Sequence, residues 1–216
     1  MGILKIFFGL NKRNKRKAII NRNTTETRIT LNLTIEGEGA AKIDTGIGFL
    51  DHMLELFAFW GHFDLEVQAR GDLKVDIHHT NEDVGIVLGQ AFKKALGDKA
   101  GIKRIGSASA PMEGVTASVA VDICGRSSFR MDLSGKAVPY PLAQGAEEYK
   151  MEYAEHFFES LAQQLGANLN IKIENPSQDL HASLEPVFKA LGIALDQATQ
   201  IDPRRKGIPS TKGVID

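Results

Sequence analysis

The sequence predicts an α+β fold built from two related halves, each a small sheet covered on one face by two helices. Three observations predict it: a pattern that recurs in the second half of the chain, segments that alternate apolar and polar residues, and segments with apolar residues at helical spacing.

The recurrence lies in two blocks. DHMLELFA at residues 51–58 matches EHFFESLA at 155–162, with histidine, glutamate and alanine in register. HHTNEDVGIVLG at 78–89 matches HASLEPVFKALG at 181–192, where the leading histidine, the glutamate four residues later, a valine and the terminal glycine coincide. Two blocks in the same order and at nearly the same offset imply an internal duplication. Between the blocks, ITLNLTIEGEG and FDLEVQARGDLKVDI alternate in the first half, and VTASVAVDICG and LNIKIE in the second. Alternation of this kind marks half-buried strands. Segments starting near Asp51, His78, Glu155 and His181 are helical instead, as in VGIVLGQAFKKAL and LEPVFKALGIAL.

The chain therefore divides into a basic N-terminal extension (1–17), a first half (18–107), a second half (108–200) and a C-terminal tail (201–216), with 18–216 forming one unit. In the extension, the apolar ILKIFFGL precedes Lys12, Arg13, Lys15, Arg16 and Lys17. A secretory signal has the opposite order, so the segment is read as a loosely packed arm.

Composition narrows the function classes. The 216 residues carry 26 basic and 27 acidic side chains, a net charge of -1, which argues against a dedicated nucleic-acid binder. No apolar run approaches the roughly 20 residues of a membrane helix. Cys124 is the single cysteine. An intramolecular disulfide and a multi-cysteine zinc site are thereby excluded, and a reducing, cytoplasmic setting is expected.

Five of the six histidines, His52, His78, His79, His156 and His181, sit inside the duplicated blocks, and His62 lies outside. Residues four apart share a helix face, so His78 with Glu82, and His181 with Glu185, can each aim an imidazole and a carboxylate at one point. His79 and Glu82, three apart, can do likewise. Manganese, iron and zinc accept this donor mixture, whereas calcium and magnesium prefer oxygen. The expectation is one metal centre, or two related by the duplication. The duplication is broken at Ala182, which stands where the first half has His79.

Anion-binding features accompany the histidines. GIKRIGSA around Arg104, CGRSSF around Arg126 and the tail PRRKGIPSTKG place cations beside glycine and small residues. Glycine lets backbone N–H groups approach an oxyanion, and arginine offers a planar fork.

Taken together, GIGFLDHMLELFA, GDLKVDIHHTNEDVGIVLGQA, KRIGSASAPM, EHFFESLA, the HxxxExxFKA of 181–190 and DPRRKGIPSTKG resemble imidazoleglycerol-phosphate dehydratase of histidine biosynthesis, from about Lys17 to Val214. The resemblance implies two βαβ-containing repeats in a ribosomal-protein-S5-domain-2-like architecture and a homo-oligomer of 24 subunits with active sites between subunits. It also implies two manganese ions held by His52, His78, His79, Glu82, His156, His181 and Glu185. The reaction it implies removes water from a phosphorylated imidazole substrate, D-erythro-imidazoleglycerol phosphate, giving imidazole acetol phosphate. Glu26 matches the family's acid-base glutamate, and Glu185 is expected to share in catalysis as well as ligation. Arg104, Arg126, Ser210, Thr211 and Lys212 match its substrate and phosphate contacts. The chain departs from the family pattern at Ala182, in the loop NPSQDLH, at Glu113 and Gly114 of PMEGV, and at Trp60. Two other readings stay open: a catalytically impaired paralogue serving as a structural or binding subunit, and a metal-dependent lyase with a different substrate.

Overall fold

A computed structural model describes residues 15–134 and 149–215. Most of the basic extension, residues 1–14, lies outside them. Each half runs β-β-β-α-β-α. The first comprises β1 (Lys17–Asn23), β2 (Thr27–Thr34), β3 (Ala41–Asp44), α1 (Gly48–Gly61), β4 (Asp64–Gly71) and α2 (His78–Leu96). The second comprises β5 (Ile105–Met112), β6 (Val115–Asp122), β7 (Ser128–Ser134), α3 (Met151–Leu165), β8 (Asn168–Glu174) and α4 (Leu180–Thr199). The second sheet thus begins at Ile105, ahead of the 107/108 division, and β1 takes in Lys17 from the basic extension.

The two four-stranded sheets have the same topology, β1-β2-β4-β3 and β5-β6-β8-β7. All neighbours are antiparallel except β3 with β4 and β7 with β8. Those parallel pairs are the ones joined through α1 and α3, since a parallel pair needs a long crossover. The central strands β2, β4, β6 and β8 bury every second residue, for example Ile29, Leu31 and Leu33, or Leu169, Ile171 and Ile173. Edge strands do so less regularly, and β3 buries none of its four residues fully. The expected strand FDLEVQARGDLKVDI is shorter than its alternation suggests. β4 stops at Gly71, and Asp72 begins a turn that leads into α2.

Each sheet is covered on one face by its own helices, and the halves join helix to helix, α2 along α3 and α1 along α4. Glycine permits the close approach. A Cβ on Gly89 of α2 would lie 2.6 Å from the Leu161 carbonyl of α3, and one on Gly192 of α4 would lie 2.5 Å from the Phe57 carbonyl of α1. These are the two glycines that end the second duplicated block. Around them pack Phe57, Phe63 and Phe92 on one side, and Phe157, Phe158 and Phe188 on the other, all fully buried.

His62, the histidine outside the blocks, is an exposed cap. It takes a left-handed conformation (φ 54°) at the end of α1, where its N–H donates to the Ala58 and Phe59 carbonyls. Pro186 sits inside α4, which continues through it with the proline fully buried in the helix layer. No helix among the described residues is long and apolar enough to cross a membrane.

Candidate metal centres and their surroundings

Helices α2 and α4, which carry His78 and His181 in their first turns, start on the same local device. The Asp76 carboxylate accepts the His78 N–H at 2.8 Å, and the Asp179 carboxylate accepts the His181 N–H at 2.9 Å. An acceptor at this position satisfies a first-turn N–H that has no helical partner. The His78 N–H in turn holds Asp76 below the usual carboxylate range. The repeated D-x-H was visible in the sequence and is a signal that the block comparison passed over.

Helix pairing then assembles the donors across the halves. Along α1 and α4, His52 of the first half meets His181 and Glu185 of the second. The His181 Nε2 lies 2.7 Å and the His52 Nε2 3.7 Å from the Glu185 Oε2, and the two imidazoles stack with centroids 5.1 Å apart. One donor atom from each of the three lies within 4.8 Å of the others. His52 is steadied from behind, because the neighbouring Asp51 accepts from both the backbone and the hydroxyl of Thr45 ahead of α1. Glu185 is partly buried, which by itself raises its pKa. Lys189 Nζ at 2.5 Å and His181 outweigh this, and the carboxyl stays below its usual range. Trp60 lies beside that lysine, its ring centroid 6.0 Å from Nζ.

Along α2 and α3 the arrangement is repeated with the halves exchanged. His156 Nδ1 of the second half lies 3.1 Å from His78 Nδ1 of the first, and His78 Nε2 lies 3.4 Å from Glu82 Oε2. Glu82 is more open than Glu185, 42% against 12% side-chain exposure. The pairs His78 with Glu82 and His181 with Glu185 form as helical spacing predicts, and each is met by a histidine of the other half, because α2 packs on α3 and α4 on α1.

A buried bridge separates the two clusters. Asn81, fully buried on α2, donates to the Tyr153 carbonyl and accepts from the Tyr149 hydroxyl, both at 2.6 Å. Burial pushes the Tyr149 phenol up, so it remains a donor. Tyr149 packs on Phe49, which lies edge-on to His181, and Tyr149 also packs on Tyr153, which lies beside His78.

His79 does not join the His78 and Glu82 pair. Its Nδ1 lies 3.1 Å from Asp72 and 4.0 Å from Glu26, and the hydrogen bond to Asp72 raises its pKa despite some desolvation, with Glu26 adding to the rise. Glu26 is exposed in the β1–β2 turn and lines, with Arg28, Arg70 and Asp72, an open cavity of about 430 Å³. Ala182, the counterpart of His79, is buried, and the His52, His181 and Glu185 triad forms without it.

The anion-binding residues form a third group. Arg104, at a left-handed φ of 75°, spends its fork on Asp122 at 2.6 and 2.9 Å, which raises its pKa, and donates from Nη1 to the Pro209 carbonyl at 3.0 Å. The tail is thus anchored beside Ser210, whose hydroxyl accepts the Lys212 N–H at 3.2 Å. Arg126, Thr211 and Lys212 are exposed. Among the described residues no hydrogen bond or ion pair joins this group to either histidine cluster.

The family described as Imidazoleglycerol-phosphate dehydratase matches residues 45–195. Relatives of that name from Geobacter metallireducens and Geobacillus kaustophilus are 50% and 49% identical, each alignment covering 93% of this chain and 99% of the relative. The solved structure of the enzyme from Pyrococcus furiosus superposes with a TM-score of 0.73 at 33% identity, covering 90% of this chain and 99% of that one. The Staphylococcus aureus enzyme gives 0.70 at 29% identity, with coverage of 86% and 99%.

Proposed function

We propose, from the premise that this chain belongs to the imidazoleglycerol-phosphate dehydratase family, that it dehydrates imidazoleglycerol phosphate to imidazole acetol phosphate in histidine biosynthesis, using bound manganese. The observation that carries the reading is the meeting of His52, His181 and Glu185 from opposite halves in one donor triad. Imidazole and carboxylate donors fit a manganese-type ion. The His156 and His78 nitrogens, 3.1 Å apart, would likewise be able to face one ion. His52, His181 and Glu185 would hold one ion, and His78, Glu82 and His156 the other, with His79 as a further donor. Such ions supply Lewis-acid stabilisation of the charge that develops on the substrate's imidazole.

The chain's own residues account for the rest. Overall, one carbon loses a proton, its neighbour loses hydroxide, and the resulting enol becomes the ketone. Neither group leaves readily, so a positioned acid-base residue is required. Glu26 takes that role: its carboxylate is exposed to the cavity and lies within 4.0 Å of His79. Glu185 orients His181 and is itself oriented by Lys189. Arg126, Ser210, Thr211 and Lys212 bind the phosphate, and Arg104, whose fork is held by Asp122, joins them by anchoring the tail at Pro209, converting remote binding energy into orientation. A site completed between copies, hence a homo-oligomer of 24 subunits, is what the family resemblance implies, and it accords with the lack of any hydrogen bond or ion pair between this group and the histidine clusters among the described residues.

The test is metal analysis and turnover of the purified protein with imidazoleglycerol phosphate and added manganese, with the mass of the assembly measured alongside. Two ions per chain with turnover are expected, Glu185→Gln removing about one of them. A protein without turnover at saturating manganese is the impaired paralogue.

A further inference from the structure

The Glu26 turn and helix α2 are tied together by a carboxylate that none of the proposed chemistry uses. Asp83 follows Glu82 on α2 and is only 7% exposed. Its Oδ1 accepts from Arg22 Nε of β1 at 2.8 Å, and its Oδ2 accepts from the Thr27 hydroxyl at the start of β2. Thr27 is 3% exposed. Its N–H donates to Thr24 Oγ1 at 2.9 Å, and the Glu26 N–H donates to the same oxygen at 3.1 Å. Glu26 therefore stands on a turn that is closed at Thr24, fastened at Thr27 and bolted to α2 between the helix positions that carry His79 and Glu82 on one side and the core on the other.

The duplicated half serves as an internal control. Leu33 pairs with Leu65, and Val121 pairs with Leu169, which places Val115 opposite Thr27 and Gly114 opposite Glu26 in the comparison of halves. The second duplicated block places Pro186 opposite Asp83. The half with glycine at the Glu26 position thus lacks the hydroxyl and the carboxylate as well, although its strands have the same order and its helix covers the corresponding strands. The same strand order is thus reached in the second half without a buried, hydrogen-bonded carboxylate on the helix.

We propose that Asp83 and Thr27 are positioning residues for Glu26, setting the distance between the acid-base carboxylate and the helix that carries His79 and Glu82. The inference rests on the dehydratase reading. Proton transfer depends on placement to within about 1 Å, a misplacement of that size costing about a hundredfold in rate.

Thr27→Val keeps the shape and the β-branch while removing the hydroxyl; Thr27→Ser keeps the hydroxyl. With the full-length protein loaded with manganese, Thr27→Val is expected to lower kcat by about 10- to 100-fold with KM within about twofold and metal content unchanged. Thr27→Ser restores most of kcat. In a Glu26→Gln background, Thr27→Val has no further effect, since its whole contribution passes through Glu26. Asp83→Asn behaves as Thr27→Val does, and serves if the valine variant does not fold. Equal loss in the serine and valine variants, loss of metal in proportion to activity, or additivity with Glu26→Gln each overturns the proposal. Wild-type turnover with an undiminished Thr27→Val overturns it alone, whereas absence of turnover in the wild type overturns the dehydratase reading and this inference together.

Discussion

Replacing Asn81 by alanine tests whether one buried amide holds the two halves together. Its Nδ2 bond to the Tyr153 carbonyl and the Tyr149 hydroxyl bond to its Oδ1 are both 2.6 Å long and fully buried. Alanine strands the Tyr149 hydroxyl, which costs about 1–3 kcal/mol, and removes one bond to a helix carbonyl, which costs about 1 kcal/mol. The total, about 2–4 kcal/mol, corresponds to a fall in Tm of about 4–16 °C for a chain of this size. Tyr149→Phe leaves the Asn81 Oδ1 without its donor and costs about 1–3 kcal/mol. The double variant should be less damaged than the sum of the two, because the hydroxyl that alanine strands is then gone. Thermal melts at fixed protein concentration give the three shifts. Because Tyr149 and Tyr153 also lie against Phe49 and His78, bound manganese should fall together with Tm. A shift of under about 2 °C for Asn81→Ala, or strict additivity in the double variant, would show that this amide bridge adds little to the joint between the halves.

Three further outcomes are expected. Gly89→Ala pushes a methyl against the Leu161 carbonyl and should cost about 1–3 kcal/mol by overpacking, read from denaturant midpoints; a neutral result would mean that α2 and α3 can slide apart freely. Pro186→Ala returns an N–H to the Ala182 carbonyl within α4 and should raise stability by about 1–3 kcal/mol, so an unchanged or lower Tm argues that the proline ring's packing outweighs the missing bond. In metal-free protein, His79 should titrate above the ordinary 6.5 because Asp72 accepts from its ring, with Glu26 adding to the effect. Its contribution to stability is therefore fully present below the unfolded pKa and is lost as pH rises through the higher folded one. Asp72→Asn should bring the midpoint down in an NMR titration, and a His79 midpoint at or below 6.5 in the unaltered protein would contradict the pairing.

The duplication, the four helices and the four strands β2, β4, β6 and β8 were legible in the sequence because each has one side more deeply buried than the other, and that asymmetry writes a period into the residues. Strands β1, β3, β5 and β7 were not, because an edge strand buries fewer side chains and its pattern blurs, as in β3. The i,i+4 pairs His78 with Glu82 and His181 with Glu185 were equally legible, since helix geometry alone puts them on one face. Family membership followed from local motifs. Which histidine meets which pair was decided by the tertiary structure, which brings His52 to Glu185 and His156 to His78 across the halves. It also decided that Arg104 turns to Asp122 and Pro209, that His79 turns to Asp72, and that Asp83 reaches Thr27. The physical reason is the same in each case. Periodicity along a chain reports which face of an element is buried, but a partner on another element is selected by packing, through the close helix approach at Gly89 and Gly192 and the pairing of α1 with α4 and α2 with α3.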